Sequence, residues 1–487
     1  MKLFNYAVWR RKHIKLNLEV ETASEKHPVF GILIIQGDTE GDVRVTICAL
    51  RKQRYIHWTS WNTIVESSAK CNPSHLDFTE TNQITSPGET LSHFIEIAKV
   101  DFFCLVEAGD TFDADYLTEM AKAAMTADSA VLYGDEDWHN PVQGRLEAPF
   151  LKPDFSPALL LSANFLRHAF YRRDVLEKVA LEAKTYKELQ EELAFKALEL
   201  GATVKHVTGL QYHATEKTFP GQASNVERLG CINSHLKRGG LEGATAEIDV
   251  QEQVHVRWQT SGDLVSIIVP TRNQSARLTT MLDSLKAHTS YPNYEIILVD
   301  NASDEPEIAR LYKRLEEKTG IRILHEQGAF NYSRSNNIGA AEAKGEILLF
   351  LNNDVEIQSE AWLTELVMWA ERPEVGVVGA RLMYPNGRIQ HAGVVLGLVG
   401  SAGHVFIGEP PEICGPFGSP YWYRNYLAVT GACMVLRREV FDAVGGFDEA
   451  YQLTFSDISL CLKVIEKGYQ VIYNPFACLI HHEGGTR

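Results

Sequence analysis

Cysteine is sparse here and unpatterned. The eight cysteines of the 487-residue chain stand at 48, 71, 104, 231, 414, 433, 461 and 478, with no Cys-x-x-Cys pair. Such spacing offers neither a zinc site nor a disulfide framework, and it suits a reducing cytoplasm. No Gly-x-Gly-x-x-Gly turn follows any predicted strand, which argues against a dinucleotide oxidoreductase. Positive charge is also short: the formal net charge of −16 leaves no basic surplus for phosphate backbones and excludes a nucleic-acid partner. A nucleotide ligand needs only a metal ion and a few donors, so that class stays open. Long apolar runs are missing as well. The apolar, glycine-rich segment from Ala392 to Gly403 is about twelve residues, well under the roughly 20 that span a bilayer. Met1 to Val20 lacks the apolar core of a signal peptide. Arg10, Arg11, Lys12 and Lys15 are the candidates for peripheral contact with the inner membrane face, against the plainer reading of a solvated surface.

What is present is ordinary globular material, 45% hydrophobic and 23% charged, on a chain too long for one core. In the first half Phe30–Ile35 reads as a buried strand and Val43–Cys48 as an alternating one. The strand Asp101–Val106 follows, then a helix from about Asp113 to Thr126 and the strand Ala130–Tyr133 before Asp135-Glu136-Asp137. Helical spacing recurs over Lys187–Leu200 and Asn225–Lys237. Glycines at 239, 240 and 243 and a polar stretch then mark residues 243–262 as a linker between domains at 1–242 and 263–487.

The second half alternates strand and helix. Val265–Val269 is stopped by Pro270, Tyr294–Val299 ends on Asp300-Asn301, and a third strand covers Ile321–Leu324. A helix spans Tyr332–Ala343, and the continuous apolar run Ile347–Leu351 ends abruptly on Asn352-Asn353-Asp354. This order predicts an α/β fold with a doubly wound parallel sheet, whose ligands bind beyond the carboxyl ends of the strands. Asn-Asn-Asp lies at such an end, where a carboxylate can hold a divalent cation; the plainer reading is a turn capping a helix near Ser359.

A repeat at a distance of about 267 residues links the halves. Leu189–Lys196 followed by Gly201 matches Ser456–Lys463 followed by Gly468. Arg172-Arg173-Asp174-Val175 parallels Arg437-Arg438-Glu439-Val440, and Tyr212-His213 parallels Ile480-His481. The halves are therefore expected to share one fold. Gln190 faces Asp457 in this alignment, and a glutamine accepts no proton at neutral pH, so the first half is read as degenerate.

The second half resembles the inverting nucleotide-sugar glycosyltransferases of family 2, with the GT-A fold. The resemblance is carried by Val265–Thr271, Leu298-Val299-Asp300-Asn301-Ala302-Ser303, Ser335–Ala341, Phe350–Asp354, Thr430-Gly431-Ala432-Cys433 and Val444–Glu449. Gln390-His391-Ala392-Gly393-Val394 is similar to the branch acting in O-antigen and related polysaccharide synthesis, rhamnosyltransferases included. Tyr133–Asp137 and Phe150–Asp154 extend the likeness to the first half, giving two tandem Rossmann-like GT-A domains. The resemblance implies a nucleotide-diphospho-sugar donor contacted by Pro270, Thr271, Asn273, Asp300, Asn336, Asn352 and Asn353. It implies Mg²⁺ or Mn²⁺ on Asp354 and His481, with His482 as an alternate, and Asp457 as general base toward a saccharide or lipid-linked acceptor. Asn352 and Asn353 depart from the acids of many relatives and leave one formal charge at the metal. A polymerase with two active sites and a non-catalytic saccharide- or nucleotide-binding module are the alternatives.

Overall fold

The computed structural model describes residues 27–36, 41–63, 86–126, 128–140, 144–215, 225–241, 243–318, 320–398 and 400–482. Residues Arg10, Arg11, Lys12 and Lys15 lie outside them. The described residues fall into two compact units, one drawn from 1–241, 246–254 and 414–418, the other from 242–245, 255–413 and 419–487. Within the stretch expected to be a linker, β9 (Thr245–Ile248) and β10 (Val254–Arg257) pair as a two-stranded sheet. No helix among the described residues is long and apolar enough to cross a membrane.

The first unit contains β1 (Phe30–Ile35), β2 (Trp58–Asn62), β3 (Phe102–Glu107), β4 (Thr111–Phe112), β5 (Val131–Asn140), β6 (Arg145–Phe150), β7 (Phe170–Arg172) and β8 (Val204–Ala214). They form one sheet in the order β2-β1-β3-β7-β5-β8-β4, with β6 added on β5. Val43–Cys48, expected as a strand, is instead the start of the helix Val43–Leu50. Alternation of apolar and polar residues over six positions fits either period. The local decision falls to Asp42, whose side chain accepts from the Arg44 N–H at 2.8 Å and caps the helix. Val43, Thr46, Ala49 and Leu50 then share the buried face.

The second unit contains β11 (Val265–Thr271), β12 (Tyr294–Asn301), β13 (Arg322–Glu326), β14 (Ile347–Leu351), β15 (Val355–Ile357), β16 (Val375–Met383), β17 (Ile389–His391), β18 (Val394–Leu398), β19 (Ser401–His404), β20 (Arg424–Asn425), β21 (Cys433–Arg437) and β22 (Gln470–His481). The main sheet runs β13-β12-β11-β14-β21-β16-β22-β15, with β17 on β16 and β20 on β22, while β18 and β19 make a hairpin. It is mixed, not wholly parallel: β21 runs antiparallel to β14 and β16, and β15 antiparallel to β22. Every residue of β14 is at most 1% exposed. Such a strand reads as an unbroken apolar run whichever way its neighbours point, so its sequence carries no sign of their direction.

Seven strands of one sheet correspond in order to seven of the other. The order β2-β1-β3-β7-β5-β8-β4 maps onto β12-β11-β14-β21-β16-β22-β15. Pairings agree in sense too: β1·β3 and β11·β14 are parallel, β3·β7 and β14·β21 antiparallel, β5·β8 and β16·β22 parallel, β4·β8 and β15·β22 antiparallel. Both units are α/β domains with a shared strand order, and the sequence repeat is a repeat of fold.

One glycine of the second unit shows how tightly its helices meet the sheet. Gly339 lies on the helix Tyr332–Glu342, which Asn331 caps by accepting from the Arg334 N–H. A Cβ there would sit 2.3 Å from Ile268 Cγ2 and 3.1 Å from Val299 Cγ2. Both neighbours belong to the core formed with Leu348, Phe350 and Phe447, so neither can swing away. Gly339→Ala is expected to lower stability by about 1–3 kcal/mol, through overpacking that outweighs its better helix propensity. A urea denaturation midpoint that rises for this variant would contradict the packing.

Candidate active site

Where the apolar run stops, three residues leave the sheet in different directions. Asn352 donates its backbone N–H to the Ala432 carbonyl at 3.0 Å. Asn353 Nδ2 donates to Thr271 Oγ1 at the end of β11, at 2.9 Å. Asp354 precedes β15, whose register sets Val355 opposite His481. That pairing brings Asp354 Oδ1 to 3.0 Å from His481 Nε2, and the His482 N–H donates to the Asp354 carbonyl at 2.9 Å. His482 Nε2 faces Glu356 Oε2 at 2.9 Å instead.

The His481 ring lies between two acceptors. Its Nδ1 is 2.7 Å from Gln390 Oε1 on β17, while its Nε2 meets the Asp354 carboxylate. A neutral imidazole has one N–H and cannot donate to both. Donation from Nδ1 to Gln390 leaves Nε2 with a lone pair, with Asn352 Nδ2 3.4 Å away, able to meet a cation beside the carboxylate. Burial pushes the Asp354 carboxyl up, but the His481 hydrogen bond and charge, with the Arg277 guanidinium, hold it below its ordinary value. Arg277 Nη1 is 3.4 Å from Asp354 Oδ2. Among the described residues no three His, Cys, Asp or Glu gather around a common point. Asp354 and His481 are the pair that could hold Mg²⁺ or Mn²⁺.

Beyond β11 and β12 lie two loops under backbone strain. Asn273 (φ 57°), Gln274 (φ 60°) and Ala302 (φ 49°) all take the left-handed conformation without being glycine. Each such residue costs about 1–3 kcal/mol, and strain of this kind gathers at ligand-binding loops. Pro270 and Thr271 are buried at the end of β11, with Thr271 opposite Asp300. Asp300 is buried and accepts from Tyr312 Oη at 2.7 Å and the Ser303 N–H at 3.3 Å, with His325 Nδ1 at 3.4 Å. Asn273 Oδ1 accepts the N–H groups of Asp304 and Glu305 at 2.9 and 3.2 Å, tying the two loops together. Asn336 is placed differently: it is fully buried, and its Nδ2 donates to the Tyr332 carbonyl of its own helix at 2.9 Å.

Asp457 opens the helix Ser456–Glu466, but it is not the cap. That place belongs to Phe455, left-handed at φ 65° and without a side-chain bond to the helix. Asp457 Oδ2 instead accepts the Gly431 N–H at 2.9 Å, from a segment 26 residues away. The Gly431 carbonyl accepts from Tyr332 Oη at 2.7 Å, and a Cβ on Gly431 would lie 2.7 Å from that oxygen. Burial, and then the charge of Asp457, raise the Tyr332 phenol, so it stays a neutral donor. Thr430 in turn donates its N–H to His391 Nε2 at 3.3 Å. Gln390 and His391, adjacent on β17, thus reach the metal pair and the Asp457 segment separately. Arg277, Tyr312 and Tyr332 were not singled out in the sequence; no local pattern marks them, since their partners are distant along the chain.

The first unit shows the same places with other contents. Thr111 lies opposite His213 as Val355 lies opposite His481, so Asp110 stands where Asp354 does. Asp110 is fully occupied: Tyr212 Oη donates to one oxygen, and the Thr215 N–H and Oγ1 donate to the other at 2.8 and 2.9 Å. His213 turns away to Asp137 (2.6 Å) and Asp113 (3.2 Å). A buried ammonium, Lys152 Nζ, sits 2.9 Å from Glu136, whose other neighbour is His168 at 3.0 Å. Gln190 does not begin its helix: Tyr186–Glu199 is capped by Thr185 in a capping box with Glu188, and Gln190 is buried one turn further in.

Residues 266–445 match the family described as glycosyl transferase family 2. The second unit carries a family 2 glycosyltransferase domain. Over 403 residues, 80% of this chain, the sequence is 40% identical to the O-antigen biosynthesis protein RfbC of Myxococcus xanthus. The chain spans 31% of the length of that relative. Over 256 residues it is 23% identical to the N-acetylglucosaminyl-diphospho-decaprenol L-rhamnosyltransferase of Mycobacterium tuberculosis, covering 45% of this chain and 76% of that one. Among solved structures, the mannosyltransferase PcManGT from Pyrobaculum calidifontis in complex with GDP-Man and Mn²⁺ aligns at a TM-score of 0.33 and 16% identity, over 47% of this chain and 60% of that one.

The unit that precedes the transferase domain should show its closed site in its pH dependence. Burial lowers the His213 pKa, but the hydrogen bonds of Asp113 and Asp137 and their charges outweigh it and raise it to about 9. A histidine raised on folding stabilises fully below its unfolded pKa of about 6.5, and the stabilisation fades as pH rises through the folded value. The shift corresponds to about 3 kcal/mol, present at pH 6 and largely lost by pH 10. Urea unfolding of wild type and His213→Gln should therefore differ most at pH 6 and converge at pH 10. A constant gap would contradict the assignment.

Proposed function

We propose that the transferase domain moves a sugar from a nucleotide-diphospho-sugar to a hydroxyl of a saccharide or lipid-linked saccharide acceptor, with inversion, in cell-surface polysaccharide synthesis of the O-antigen type. The observation that carries this reading is the pairing of two carboxylates with different surroundings. Asp354 meets a histidine whose far side is fixed, and Asp457 accepts the Gly431 N–H on one oxygen and the Ile458 N–H on the other, beside a strained helix start. The name of the RfbC relative supports the pathway class, and that of the mycobacterial relative supports a lipid-linked acceptor.

The chemistry follows from those surroundings. Asp300, Thr271 and the strained loops at 273–274 and 302 offer a place for the nucleotide beyond the strand ends. Mg²⁺ or Mn²⁺ held by Asp354 and His481 would neutralise the departing diphosphate. Asp457 keeps lone pairs beyond its Gly431 bond and takes the proton of the acceptor hydroxyl as that oxygen attacks the anomeric carbon. One base and a single displacement invert the anomeric centre. The first unit serves as a scaffold or acceptor-binding domain: Gln190 cannot act as a base, and Asp110 and His213 are already bonded within the protein. Those two facts weigh against a polymerase with two active sites. Work at the cytoplasmic face of the membrane, with peripheral contact, belongs to the same proposal.

Asp354→Ala, or chelation of the wild type, is expected to remove donor binding and transfer together. Normal nucleotide-sugar binding and transfer in chelator would overturn the metal assignment.

Asp457→Asn retains an oxygen for the Gly431 N–H, so fold and donor affinity should survive while the turnover number drops by about 10²–10⁴-fold. Transfer near the wild-type rate would reject Asp457 as the base. It would also return attention to the first unit.

A further inference from the structure

Arg381 is a buried cation that the protein leaves partly unanswered. It stands on β16 across from Cys478 of β22. Its Nε and Nη1 are buried without a hydrogen bond, although the residue as a whole remains partly exposed. The side chains acting on its charge are Cys478, which is also a hydrogen-bond partner, Tyr473 and Tyr421, with no carboxylate among them. Other arginines of the same unit are answered: Arg334 by Glu326, Arg437 and Arg438 by backbone carbonyls.

Stacking covers only one part of the guanidinium. Its carbon lies 4.3 Å from the centre of the Tyr421 ring, which satisfies the face of the cation. The in-plane N–H fork is left over, and a guanidinium cannot shed its proton to escape burial. The Tyr473 hydroxyl donates to the Pro420 carbonyl at 2.7 Å, and no hydrogen bond joins it to the Arg381 Nε or Nη1. A second arginine is close by in register: Arg424 of β20 pairs with Tyr473 and lies 5.2 Å from the Tyr426 ring. Two guanidinium groups, each backed by a tyrosine, with one fork unpaired, complement the oxygens of a phosphate.

The Tyr473 ring is 6.4 Å from that of His391, whose Nε2 holds Thr430 beside the Gly431 that grips Asp457. The helix that Asp457 opens also packs on β16 and β22. We propose that Arg381 and Arg424 bind a phosphate or diphosphate group of the acceptor, on the Asp457 side of the sheet. This deepens the transferase reading and rests on it for the word acceptor; the anion site itself does not.

The test is calorimetric and needs no catalysis. Inorganic pyrophosphate and farnesyl diphosphate are titrated separately into the full chain in excess EDTA, so that the Asp354–His481 pair cannot load a metal. Wild type should bind pyrophosphate, and Arg381→Gln should weaken it by at least about tenfold, the usual size for loss of a charge-assisted bond. Arg381→Lys, which keeps the charge and loses the fork, should fall between the two and guards against a glutamine variant that fails to fold. Tighter binding of farnesyl diphosphate than of pyrophosphate assigns the phosphate to a lipid-linked acceptor; equal binding assigns it to a soluble phosphorylated one. No binding by wild type, or binding unchanged in both variants, overturns the proposal. Loss of nucleotide-sugar turnover in wild type with pyrophosphate binding intact would sink the transferase reading and leave this site standing.

Discussion

The candidate active site depends on three consecutive backbone groups. Thr430 N–H goes to His391, Gly431 N–H to Asp457, and the Ala432 carbonyl receives the Asn352 N–H. Each bond is worth only about 1 kcal/mol net, so their importance is geometric rather than energetic. Through this segment the end of β14, the strand β17 and the start of the helix Ser456–Glu466 are fixed to one another. Gly431 permits it, because any Cβ would meet the Tyr332 hydroxyl that closes the segment from the far side. A shift of this loop would move Asp457 relative to the Asp354–His481 pair without touching either carboxylate.

That dependence explains which parts of the site could be read from the sequence. The run Ile347–Leu351 and its polar ending were legible because burial on both faces leaves no alternation to confuse. Asp354 and His481 were legible because each ends an apolar strand. Their partners were not. Arg277 meets Asp354 across 77 residues and Gln390 meets His481 across 91, and nothing local in either partner announces such a contact. Asn336 shows the converse. Its motif was legible, but the side chain bonds back to its own helix, a choice set by the packing around it. In the first half, Val43–Cys48 was misread because six residues of alternation carry less information than one capping aspartate.

The repeat separates what fold requires from what chemistry requires. Both units keep the strand order, the pairing senses and the register that sets a histidine of the last long strand opposite the residue after an aspartate. The fold therefore does not need the surroundings of Asp354 to be what they are. In the first unit the equivalent aspartate is saturated by Tyr212 and Thr215, and the nearby Glu136 is met by Lys152 rather than left for a ligand.

A buried ion pair of that kind contributes little net stability, because desolvating both charges offsets most of their attraction. What Lys152 and Glu136 do provide is closure: removing one partner alone would strand a charge in the core, so the arrangement is hard to leave by single substitutions. The second unit faces the opposite problem at Arg381, whose Nε and Nη1 are buried without a hydrogen bond. Groups of that kind are costly to keep in a fold unless something outside the chain completes them. On the same sheet topology the first unit turns its aspartate and histidine to other neighbours, whereas Asp354 and His481 of the second meet each other, and that difference supports placing ligand chemistry there.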